Sequence, residues 1–382
     1  MESKVIKKLK GGVRCLKEHG LAYTLCLLLK KVFDRINKGF RAVGQWLSYG
    51  LIEIIWVHTY RNERSGPFVY LFGKQIRPRK KKTPQKSPWV DPNQPVIYLK
   101  VNRLADYTIP CIQRWVNTVY KMRADYYFIC DNKQLEYQIL KSVIFPDEEI
   151  KFLRSERRYL RKIGQVVATK GWQNAAYAHL TPFYHAKAAG EKNFWAIDAD
   201  DTMFCFPEEQ ICEMLRKVQH TAAKEEISVF SLDMWHSRTL GRHWSWGIAF
   251  INGNRDYFQL FQEDGDRSWV TAGSYPYRMG NGQTNMDWYF TYLKYSKGLR
   301  AETFYVENAC FIHWGNFLKY PGMTSAIYNW SQGKLSYPIY QYVICDERAG
   351  YVDIAKDCFA VDIGLLQKDS IHFLNDCLRM IK

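Results

Sequence analysis

Strand-length apolar runs that alternate with amphipathic helical stretches predict an α/β fold, beginning near residue 95 and built on a mainly parallel sheet. Two further observations give that fold its features. One apolar run, Phe194-Trp195-Ala196-Ile197, ends abruptly in three carboxylates, Asp198, Asp200 and Asp201. The net charge of +16 lies almost wholly in residues 1–90, which hold 20 Lys+Arg against 5 Asp+Glu. The remainder of the chain is close to neutral.

A chain of 382 residues, 47% hydrophobic, has material for one large domain with an appendage or for two modest ones. Its ten cysteines contain no C-x-x-C, which argues against a structural zinc site and a disulfide framework and for free thiols. No stretch reaches the roughly 18 apolar residues that span a bilayer. Leu21 to Leu29 is apolar, but Lys30 and Lys31 follow it and no small-residue cleavage site is visible, so no signal peptide is expected.

Four segments are expected: 1–76, a basic amphipathic helical extension; 77–95, a linker rich in Pro and Lys; 96–319, the catalytic α/β domain; and 320–382, a C-terminal helical extension. In the first, Val5, Leu9, Val13 and Leu16, then Leu25, Leu28, Leu29, Val32, Phe33 and Ile36, recur at helical spacing to about residue 60, with Lys and Arg between them. Such a helix suits an anionic membrane interface, with Trp46, Tyr49, Trp56 and Tyr60 at headgroup level. Packing on the catalytic domain is the alternative. No nucleic-acid partner is expected, because no readable RNA- or DNA-binding motif is present.

Within the domain, Val96–Val101 reads as a strand, Thr108–Lys121 as a helix with Pro110 tolerated near its start, and Ala124–Cys130 as a second strand ending at Asp131. A helix over Gln134–Lys141, a short strand near Glu149–Leu153 and a helix over Gln173–Ala189 lead to the strand that carries the acidic cluster. Glu208–Lys224 reads as a helix, and Ile227–Leu232 and Gly247–Asn252 as strands. In an open α/β sheet, ligands collect beyond the carboxyl ends of the strands, where Asp131 and Asp198 fall. Carboxylates crowded together repel one another unless a cation holds them, and Mg²⁺ or Mn²⁺ is the natural partner for oxygen ligands. The plainer reading is a polar turn in which Asp201 or Thr202 caps the next helix.

Further along, Gly273–Gln283 contains Gly280 and Gly282, which would let backbone approach a ligand closely. Thr284-Asn285-Met286-Asp287 opens a helix, and Cys310-Phe311-Ile312-His313 ends an apolar strand in a histidine.

Asp198-Ala199-Asp200 resembles the D-x-D motif of GT-A glycosyltransferases, and the order of motifs over residues 95 to about 315 is similar to that family's. The resemblance implies a GT-A-like (Rossmann-like) sheet flanked by helices. It implies that Asp131 holds the base, that Asp198 and Asp200 with His313 bind Mn²⁺ or Mg²⁺ against the donor diphosphate, that the Gly280 and Gly282 loop covers the donor, and that Asp287 is the catalytic base. The partners implied are a nucleoside-diphosphate sugar and a glycan or lipid-linked acceptor, with the enzyme peripheral at the cytoplasmic face of the cell membrane. Met286-Asp287 lacks the Glu-Asp pair more usual there. Each residue also has a plainer role: Asp131 and Asp287 as helix caps, His313 as a core histidine. Asp198-x-Asp200-x-Thr202 also fits the nucleophile motif of haloacid-dehalogenase-type phosphatases, though that family opens its domain with the motif. A non-enzymatic peripheral membrane protein is the third reading.

Overall fold

The computed structural model describes residues 21, 24–25, 28–33, 52–60, 64–71, 74–76, 87–106, 108–155, 173–200, 202–232, 236–237, 241–242, 247–253, 299–307, 309–313, 326–331, 334–336, 359–366, 368–369, 372–373 and 376. The chain divides into two compact units, residues 1–86 with 132–148, and residues 87–131 with 149–382.

In the first unit, β1 (Ile52–Thr59), β2 (Arg64–Leu71) and β3 (Lys74–Ile76) form an antiparallel meander. This corrects the expectation of helix to about residue 60 and of a helical segment to residue 76. Ile52-Glu53-Ile54-Ile55-Trp56-Val57 is dense in β-branched and aromatic side chains, which pack on a pleated surface better than on a helix. Residues 28–33 are helical, as expected. Leu21, Leu25, Leu28, Leu29 and Val32 are exposed, and their spacing puts them on one helical face.

The second unit holds β4 (Val96–Val101), α1 (Ile109–Met122) and β5 (Tyr126–Cys130). After β5 the chain enters the first unit for α2 (Lys133–Ser142) and β6 (Ile144–Phe145), which pairs parallel to β1. It re-enters the second for β7 (Phe152–Arg154), α3 (Gln173–Ala189), β8 (Phe194–Asp198), β9 (Thr202–Phe204), α4 (Glu208–Lys224) and β10 (Val229–Leu232). There follow β11 (His236–Ser237), β12 (Gly241–Arg242), β13 (Ile248–Ile251), β14 (Ala301–Val306), β15 (Ala309–His313), β16 (Ala326–Ser331), β17 (Lys334–Ser336) and β18 (Phe359–Val361). Residues 320–382 were expected to be helical. Helical backbone is described there only at 368–369, 372–373 and 376, while β16 to β18 are strands. Ala326-Ile327-Tyr328-Asn329-Trp330-Ser331 alternates apolar and polar residues from Tyr328 onwards, a strand pattern rather than a helical one.

The main sheet runs β18-β14-β10-β13-β8-β4-β5-β7, parallel throughout except for β13. This is a mixed α/β fold with a large, mostly parallel sheet. Its central strands are buried end to end: all six residues of β4 are enclosed, and Phe194 to Ile197 of β8 with them. Each large apolar side chain so enclosed contributes about 1.5–3 kcal/mol. Arg123 ends α1 in the left-handed conformation at φ 56°, the geometry that closes a helix and turns the chain towards β5. Helices α1 and α4 pack on each other, and α3 lies against β4, β5, β7 and β8.

A second, antiparallel sheet, β17-β16-β15-β9, grows from the residues that follow the acidic cluster. Among the described residues, no helix is long and apolar enough to cross a membrane.

Candidate functional site

From β4 the chain moves to β5 and β7 on one side, and then to β8 on the other side of β4. The carboxyl ends of β4 and β8 therefore flank the point where the strand order reverses, the place where open α/β sheets open a crevice. Asp198 ends β8 there, and in the parallel register it stands opposite Lys100 of β4. Lys100 is fully buried, with Nζ 2.9 Å from Asp198 Oδ1. The same Nζ lies 2.7 Å from Nδ1 of His179 on α3. Burial, and then the neighbouring Lys100 charge, hold the His179 pKa well below the usual histidine range. With its ring neutral, Nδ1 accepts a hydrogen bond from the ammonium. Asp198 keeps its side chain 15% exposed.

Asp200 does different work. Its Oδ2 accepts from the main-chain N–H groups of Asn102 (2.8 Å) and Arg103 (2.9 Å), the first two residues after β4. Its side chain is buried, with the residue 1% exposed. Asp200 thus pins the loop after β4 to the turn after β8. Of the two carboxylates, Asp198 is the more open to solvent.

The next residue described, Thr202, opens β9. Its carbonyl accepts from Trp115 Nε1 (2.8 Å) and Cys111 Sγ (3.0 Å) on α1. Thr202 is therefore no helix cap: α4 starts six residues later behind Pro207, with no side-chain cap. Across β9, the backbone of His313 stands opposite Thr202, Ile312 opposite Met203 and Phe311 opposite Phe204. The register brings position 313 within two residues of Asp200 along the chain.

Asp131 directly follows β5, the neighbour of β4 in the sheet, and accepts from Ser155 Oγ at 2.7 Å. Burial raises its pKa, and the Ser155 hydrogen bond draws it partly back down. The cap of α2 is Asn132, whose side chain accepts from Leu135 N at 2.9 Å, so Asp131 is not taken up as a cap.

The structure thus brings Asp198 and Asp200 together at the switch point and sets the backbone of His313 beside them, with Asp131 at the end of β5. Asp201, Gly280, Gly282 and Asp287 lie outside the described residues, as does the side chain of His313. Among the described residues, no group of three or more His, Cys, Asp or Glu side chains forms a metal cluster. Three residues were missed in the sequence: Lys100, His179 and Arg103, the last exposed on the loop that Asp200 pins. For Lys100 a signal existed, a single charge inside the otherwise uncharged run V-I-Y-L-K-V. No protein-family model matches the chain, and no curated protein sequence matches it.

Proposed function

We propose that the chain is a GT-A-like glycosyltransferase that moves a sugar from a nucleoside-diphosphate donor to a glycan or lipid-linked acceptor in cell-surface polysaccharide synthesis. The observation that carries this reading is the pair Asp198 and Asp200 at the reversal of strand order between β4 and β8. In this reading Asp131, beyond the neighbouring strand, receives the nucleoside, and the exposed Arg103 meets the diphosphate. Asp287 is the proposed base for the acceptor hydroxyl, with the Gly280 and Gly282 loop over the donor. A divalent ion, Mn²⁺ or Mg²⁺, when bound would offset the charge that develops on the departing diphosphate. Asp198 is the described side chain that fits it, and the register of His313 supports that residue as a second ligand. Asp200 serves the site as a brace.

The phosphatase reading needs Asp200 as general acid/base. That task requires reach to the substrate, which a carboxylate buried against two main-chain amides lacks. The exposed face of Leu21, Leu25, Leu28, Leu29 and Val32, with Lys30 and Lys31 in the same helix, supports attachment to an anionic membrane surface at the cytoplasmic side.

Thermal denaturation with a panel of nucleoside diphosphates, each with and without Mn²⁺, tests the reading. A bound nucleotide should raise Tm by linkage, and Asp287→Ala should keep that shift while losing sugar transfer. No shift with any nucleotide would overturn the reading. Replacing Leu25, Leu28 and Leu29 by Asp should release the protein from anionic liposomes and leave the nucleotide shift unchanged. Retained binding would refute the membrane contact at this face.

A further inference from the structure

Lys100 is the one charged residue in the buried run Val96–Val101, and its ammonium meets Asp198, at the carboxyl end of β8, and His179 of α3. Burying an ammonium is unfavourable unless protein groups replace the lost water, and a methionine would fill this position without that cost. What the ammonium does, which methionine would not, is hold Asp198 at 2.9 Å and offset its charge. A divalent ion on the other oxygen of the same carboxylate would lie on the order of 5 Å from Nζ, where repulsion is several times its value in water.

We infer that Lys100 is a positioning residue, the resident counter-ion of Asp198, and that it keeps the donor-free site poor at binding divalent cations. A cation then enters together with the diphosphate of the donor, whose negative charge offsets the repulsion, rather than ahead of it. This rests on the reading of Asp198 as the cation-facing group of a nucleotide-sugar site. Its physical content is the charge balance on a single carboxylate.

The test is titration of Mn²⁺ into the nucleotide-free, full-length protein, with free ion followed by electron paramagnetic resonance. Wild type should bind weakly. Lys100→Met and Lys100→Gln should bind about tenfold more tightly or better, since the repelling charge is gone. Lys100→Arg, which keeps the charge, should behave as wild type. The double variant Lys100→Met/Asp198→Asn should lose the gain, which places the ion at Asp198. Gln retains an amide donor for Asp198 and decides the matter if circular dichroism shows the Met variant unfolded. A residue of purely structural importance would lower Tm on substitution and leave Mn²⁺ affinity unchanged. Unchanged or weaker affinity in folded Lys100→Gln overturns the inference, and so does the absence of Mn²⁺ binding by every variant. The two readings fail separately. If nucleotides give no thermal shift but Lys100→Gln gains Mn²⁺ affinity, the transferase reading and the joint entry of cation and donor fall, while Lys100 as the counter-ion of Asp198 stands. Nucleotide shifts without a gain in Mn²⁺ affinity would mean the reverse.

Discussion

The main sheet carries a lysine–aspartate pair towards each end of its central strands, and the two differ in solvent access. At the carboxyl end, Lys100 is fully buried and Asp198 15% exposed. At the amino end, Lys151, just before β7, meets both oxygens of Asp125, just before β5, at 2.7 and 2.8 Å, with Lys151 23% exposed. Each has a histidine of α3 nearby. His179 touches Lys100, while His185 binds the Tyr98 hydroxyl at 2.9 Å and lies 4.4 Å from the Tyr127 ring, which Lys151 covers at 5.2 Å. Burial lowers the Lys151 pKa, but the hydrogen bond and charge of Asp125 more than reverse this, so the group ends above its ordinary value. The amino-end pair reads as a tie between two strand starts. The carboxyl-end pair has the more deeply buried lysine and borders the switch point.

Substitutions that break one pair at a time measure the contrast. Asp198→Ala leaves a buried ammonium without its carboxylate and should cost about 3–5 kcal/mol in urea denaturation. Asp200→Ala leaves the N–H groups of Asn102 and Arg103 without their acceptor and should cost about 1–3 kcal/mol. Asp125→Ala lets the partly exposed Lys151 turn to water, for a loss of about 1 kcal/mol or less. Equal losses at Asp198 and Asp125 would show that the two ends do not differ.

The histidines sharpen the comparison through pH. In both, burial is the main cause of a lowered pKa, and the effect is greater at His179, where Lys100 adds to it. Below about pH 6.5 the unfolded chain takes up protons that the folded rings do not, so stability falls with falling pH. His179→Gln should flatten this slope more than His185→Gln in denaturation series from pH 7 to pH 5. The opposite ranking would place the deeper dehydration at the amino end.

The elements most legible in the sequence were those whose burial is uniform. Val96–Val101 and Phe194–Ile197 read as strands because every position is enclosed. The acidic cluster stood out because three carboxylates end such a run. The sheet of β1 to β3 was not read, because the leucine periodicity of residues 25–36 was carried across a boundary where β-branched residues take over. Nor did the sequence separate the tasks of Asp198 and Asp200. Spacing places both at one strand end, whereas their division of labour depends on which groups of β4 face them, a long-range matter of register. His179 was invisible for the same reason: nothing local to α3 tells which strand residue it will meet.

Both histidines ride on one helix, and Pro182 sits between them. Proline has no N–H to give the Ala178 carbonyl, so the rod has one rung fewer at that point. The weakest joint in α3 thus falls where its two anchored halves meet. A bend of the helix at that point would turn the half that carries His179 relative to the half that carries His185.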